Sequence, residues 1–138
     1  MSKKGFTLIE LLAVIAILAI LVVIAVPNIL SLFNESRIKS YNVDAQAVYE
    51  AAQTQWQLAQ FDGATAKTYT NVDGEEGESL SSSATISGTT SYCVIIDITG
   101  AVTKFSYYNN GYYYDGTDVS KTSIVVAQNS QVSSASCD

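Results

Sequence analysis

Histidine is absent from this chain, and proline occurs once, at Pro27. Without histidine the sequence lacks the commonest general base and the commonest metal ligand. Cations are also scarce: seven Lys and Arg stand against 13 Asp and Glu, for a net charge of −6. An acidic chain with so few cations is poorly suited to a run of phosphates, so direct nucleic-acid binding is not expected. There is no G-x-S-x-G, no glycine-rich phosphate loop and no metal-spaced cluster. The carboxylates are scattered, and nothing motivates an enzyme, a cofactor or a metal site. Cysteine is limited to Cys93 and Cys137, far apart and outside any C-x-x-C pattern. An even count in an exported domain favours one disulfide; the alternative is two buried thiols.

What the sequence does have is one long apolar run. Phe6 to Val26 is broken only by Thr7 and Glu10. As a helix this run of about 21 residues spans roughly 30 Å, the thickness of a bilayer's hydrocarbon core. Lys3 and Lys4 precede it and no basic cluster immediately follows. Basic residues mark the cytoplasmic flank, which places residues 1–5 inside the cell and the polar remainder outside. A cleaved secretory signal has a shorter apolar core, about 7–15 residues, ending at small residues. Here apolar helical character resumes beyond Pro27, at Ile29, Leu30, Leu32 and Phe33. A plain membrane anchor accounts for length and orientation, but not for Glu10. A charge in a lipid-facing helix costs about 2.5–3.5 kcal/mol at mid-bilayer and less near the interface. Glu10 is therefore either a wet interfacial residue or an acid awaiting a cation.

The segment Gly5-Phe6-Thr7-Leu8-Ile9-Glu10 resembles the class III signal of type IV pilins, pseudopilins and competence pilins. That family has a short basic leader ending in Gly, then Phe, an apolar stretch and Glu as the fifth mature residue. The resemblance covers roughly the first thirty residues, where leader, Gly, Phe, Glu and Pro27 all fall in register. It implies cleavage between Gly5 and Phe6 by a prepilin peptidase, and N-methylation of Phe6. It implies a subunit held in membrane lipid with its N-terminus inside, then passed by a pilus assembly platform into an extracellular homopolymer. Within that polymer the Phe6 amine of one copy would meet Glu10 of another. A buried charge pair is favourable only when both members are present, so such a pair would set axial register. The function implied is a structural subunit, a major pilin; a pseudopilin of a secretion or competence pilus shares the same device.

Pro27 removes a backbone donor and is the expected helix break, as a mild kink or as a segment that melts on assembly. Beyond it Phe33, Tyr41, Ala45, Val48, Ala52, Trp56 and Ala59 recur near the helical period, with polar residues between them. This predicts an amphipathic helix over 28–61, stopped by Asp62-Gly63. Residues 62–91 read as a surface connection with an acidic knot, Asp73 to Glu78, that lacks EF-hand spacing and is read as a solvated loop. Residues 92–138 read as an antiparallel sheet. Its strands are expected at Tyr92–Ile98, Ala101–Tyr108, Tyr112–Tyr114 and Thr122–Ala127, with turns at Thr99-Gly100 and Asn109-Asn110-Gly111. The whole is an α+β chain with five parts: 1–5, 6–27, 28–61, 62–91 and 92–138. The second half of its helix would cover one face of the sheet, as in the pilin fold.

Overall fold

The computed structural model describes residues 4–63, 65–81, 86 and 89–138. They divide into two units, one up to Arg37 and one from Ile38 to Asp138, and helix α1, Leu8–Gln60, supplies residues to both.

In the first unit every described residue is exposed. Its apolar stretch reaches a mean hydropathy of 3.2 with none of that window buried. A helix apolar all round and lacking protein against it belongs in lipid or among other helices. Pro27 cannot donate to the Val23 carbonyl, yet α1 runs through it without interruption. The helix starts at Leu8, two residues later than the apolar run suggests.

The second unit is α+β, with a five-stranded antiparallel sheet in sequential order. Its strands are β1 (Lys67–Thr70), β2 (Ser91–Ile96), β3 (Val102–Asn109), β4 (Tyr112–Thr117) and β5 (Ala127–Gln128). Ala45, Val48, Tyr49 and Ala52 are the buried residues of α1, spaced i, i+3, i+4 and i+7. They pack in one core with Tyr92, Val94, Ile96, Phe105 and Tyr107 of the sheet. Tyr49 extends the expected face and donates its hydroxyl to the Val119 carbonyl at 3.1 Å. Phe33 does not join this core; it is exposed in the first unit. Past Gln60, three successive amides bond three residues back, from Phe61 to Leu58, Asp62 to Ala59 and Gly63 to Gln60. This tightened turn ends the helix where the sequence places its stop.

Residues 62–91 are more structured than a surface connection. β1 pairs with β2 from Lys67↔Ile96 to Thr70↔Cys93, and Tyr69 is fully buried. The other side of β1 is met by Glu78, whose backbone exchanges hydrogen bonds with Thr68 and Thr70 at 2.9 Å each. Four residues, Lys-Thr-Tyr-Thr, are too few to display a period; long-range pairing makes the strand. Glu78 also pairs with Lys67. No metal-ligating group converges among the described residues.

The last expected strand is also different. Residues 121–123 form a 3₁₀ turn, Ile124 and Val126 enter the core, and only Ala127–Gln128 pair, with Tyr112 and Tyr113. The Val126 amide donates instead to Asn42 Oδ1 on α1, at 2.7 Å. A helix side chain has taken the bond a neighbouring strand would have supplied.

The two hairpin turns lie where glycine permits them. Asn110 and Gly111 both have positive φ, 48° and 84°, the combination of a two-residue turn of the twisted type. Gly100 has φ 88°, and a Cβ there would meet the Trp56 ring at 2.8 Å. Beside it Asp97 Oδ1 accepts from the Thr99 and Ala101 amides at 2.8 and 3.0 Å.

The sheet face opposite α1 is not left open. Cys93 and Ser106 are paired neighbours there and both are fully buried. Residues 135–138 lie across them. The Ala135 amide donates to Ser91 Oγ at 2.8 Å and the Ser136 amide to Ser106 Oγ at 3.0 Å. Cys137 is disulfide-bonded to Cys93 with the two Cα atoms 5.3 Å apart. Lys104, bonded to the Asp138 carbonyl, also pairs with Asp115.

Candidate functional site

Residues 4–7 have no regular structure and precede the first turn of α1. The Gly5–Phe6 peptide bond therefore lies outside the helix. Phe6 is 90% exposed. The first intrahelical bond runs from the Leu11 amide to the Thr7 carbonyl, at 3.2 Å, which makes Thr7 the N-cap.

Glu10 is engaged by its own chain. The Thr7 amide donates to Glu10 Oε2 at 2.8 Å, and the Glu10 amide to Thr7 Oγ1 at 3.4 Å. This reciprocal arrangement is a capping box, satisfying two donors that the first turn leaves without helical partners. Its negative charge also complements the positive end of the helix. Thr-x-x-Glu was legible in the sequence as a capping signature. The alternatives for Glu10, a wet residue or an acid awaiting a cation, omit this third role. The acid thus caps its own helix in a single copy.

Phe6 and Glu10 are four residues apart: Phe6 precedes α1 and Glu10 lies in its first turn. Pro27 lies within α1, and no residue within the helix from Leu8 to Pro27 is buried. Exposed apolar side chains here include Leu11, Ile15, Leu18 and Val22, each more than half exposed. This surface requires lipid or protein cover.

A second polar cluster, in the second unit, was not legible. Asp44 Oδ2 accepts from the Tyr107 hydroxyl, from Asn109 Nδ2 at 3.2 Å and from Thr90 Oγ1 at 3.3 Å. Asn109 Nδ2 also reaches Thr90 Oγ1, at 2.9 Å. The four residues come from α1, β3 and the lead into β2, so only tertiary folding brings them together. Burial foremost, and the hydrogen bond to Asp44, hold the Tyr107 phenol above its ordinary range.

Residues 1–26 match the family model of the prokaryotic N-terminal methylation motif. No curated protein and no solved structure matches the chain.

Proposed function

We propose that this chain, type IV pilin-like through the methylation motif in residues 1–26, is the major structural subunit of a bacterial type IV pilus. A prepilin peptidase hydrolyses the Gly5–Phe6 bond on the cytoplasmic side, and the amine released on Phe6 is methylated. The apolar half of α1 holds the subunit in the membrane until an assembly platform moves it into an extracellular homopolymer. There the amine of one copy meets Glu10 of its neighbour. Each subunit leaves lipid for a surface of other helices, so its exposed apolar side chains are covered in both states.

The observation that carries this reading is one acid, Glu10, in an otherwise apolar exposed stretch of helix, the fifth residue after the Gly5–Phe6 bond. The capping box refines it. Before assembly the carboxylate is held by Thr7; afterwards a cation replaces solvent at the same carboxylate. A paired charge is tolerated in a dry interior, whereas an unpaired one is penalised by several kcal/mol.

Mass spectrometry and imaging of material sheared from the cell surface test the proposal. Filaments are expected, built of a chain that begins at Phe6, is one methyl group heavier there, and carries the Cys93–Cys137 disulfide. Cells whose mature protein keeps residues 1–5 and forms no polymer would overturn it. Deletion that abolishes protein secretion or DNA uptake, with no surface filaments, would reassign the chain to a pseudopilin or competence pilus.

A further inference from the structure

Arg37 and Asp44 are seven residues apart on α1. No ion pair joins Arg37 to its own Asp44. Lys67, Lys104 and Lys121 are each held in ion pairs, with Glu78, Asp115 and Glu50. Among the described residues Arg37 makes no ion pair, and it is exposed.

Asp44 is built in the opposite way. Three donors converge on its Oδ2 and fix the carboxylate, while Oδ1 has no partner among the described residues. Asp44 lines an open cavity of about 600 Å³ together with Ser40, Tyr41, Ala47 and Asn110. Tyr41 is held at the cavity wall, stacked on Tyr112 with ring centroids 4.3 Å apart and its hydroxyl accepting from Asn110 Nδ2 at 3.2 Å. A fixed carboxylate beside an aromatic ring suits a guanidinium, through charge-assisted hydrogen bonds and attraction to the ring face.

We propose that Arg37 of one copy docks in the Asp44 cavity of a second copy displaced along α1. The proposal rests on the filament reading and names a contact within it. The two surfaces are different patches of the same chain, so the contact is head-to-tail and does not close on a dimer; repeated, it propagates. Along the chain the cation precedes the acid in both pairs, Phe6 before Glu10 and Arg37 before Asp44. Arg37 suits the role better than lysine, because a planar guanidinium can meet the carboxylate and the ring together.

Two measurements on the full-length chain test this. In cells co-expressing wild type and Arg37→Glu, the variant's share of sheared filaments is expected to fall roughly tenfold, about 1.4 kcal/mol. Arg37→Lys is expected to recover part of that loss. Separately, Arg37→Cys and Ser40→Cys subunits are co-expressed, each with its native disulfide intact. A mixed cross-linked dimer holding one of each is expected in filaments and absent from detergent-dispersed subunits. Filaments that take up Arg37→Glu at wild-type level and give no mixed dimer would overturn the contact, leave the filament reading intact, and free the cavity for another ligand. A wild-type chain that makes no filaments overturns the filament reading itself, and this contact with it.

Discussion

The Tyr107 hydroxyl, buried beneath the sheet's inner face, donates to Asp44 Oδ2 on the helix, a bond spanning 63 residues of sequence. It ties β3 to α1 at the one place in the second unit where the helix presents a carboxylate to the core. Asp44 keeps two further donors, Asn109 and Thr90, when the Tyr107 hydroxyl is removed.

Tyr107→Phe is accordingly expected to destabilise the second unit by about 1–2 kcal/mol, the cost of one charge-assisted hydrogen bond. It should also change the response to alkali. The phenols of Tyr107, Tyr49 and Tyr69 all lie above their ordinary value of 10.0, burial being the main cause in each. Their raised values belong to the folded state, so the stabilisation is complete below pH 10 and declines as pH rises further. The unfolded chain loses those protons first. Each such residue removes about 1.4 kcal/mol per pH unit in that window. Urea denaturation of detergent-solubilised subunit at about pH 8 and about pH 11 checks both effects. A slope above pH 10 unchanged by Tyr107→Phe would contradict this assignment.

Glu10 has an observed capping role and a proposed pairing role, and one pair of substitutions separates them. Glu10→Gln keeps an acceptor for the Thr7 amide and hence the capping box, but removes the charge. Glu10→Ala removes both, at a capping cost of about 1 kcal/mol. If the charge sets register in the polymer, both variants insert in membranes and both fail to enter filaments. Entry of Glu10→Gln at wild-type level, with Glu10→Ala excluded, would make the residue a helix cap and nothing more.

Tyr69 carries the one buried hydroxyl without a hydrogen-bond partner among the described residues. Burying an unsatisfied hydroxyl costs about 1–3 kcal/mol. Tyr69→Phe keeps the ring that is buried in the core, so the expected outcome is unchanged or slightly raised stability, by up to about 1 kcal/mol. Thermal unfolding in detergent reads it. A drop of more than about 1 kcal/mol would reveal a partner that the hydroxyl does have.

The disulfide closes a loop between residues 44 apart in sequence. In the chain-entropy model its removal costs about 4 kcal/mol. Cys93→Ser with Cys137→Ser should lower the urea midpoint accordingly and free residues 135–138 from the sheet. Faster exchange at the Ala135 and Ser136 amides, now bonded to Ser91 and Ser106, is the local signature. Retained protection there would show that the hydrogen bonds hold the segment without the covalent link.

The parts of this protein that were legible beforehand are those encoded by local pattern. The membrane-length run needs only consecutive apolar residues. The helix face at Ala45, Val48 and Ala52 needs only the 3.6-residue period. The turns at Gly100 and Gly111 need only residues that accept positive φ. The methylation motif in residues 1–26 was legible because its meaning lies in spacing along the chain. Thr7 was equally legible as the cap of a Thr-x-x-Glu box, and reading Glu10 solely through charge left it out.

The sequence by itself determined a wholly apolar first segment with one acid near its start, an amphipathic helix after it, and a set of hairpins. Each follows from interactions between residues a few positions apart. Only the tertiary structure decided that Lys67–Thr70 is a strand, that Val126 bonds Asn42 rather than a neighbouring strand, and that residues 135–138 cover the sheet's second face. It alone placed Asp44 with Tyr107, Asn109 and Thr90. Those outcomes depend on partners 19 to 84 residues away, and no local preference records which distant donor a buried acceptor will meet.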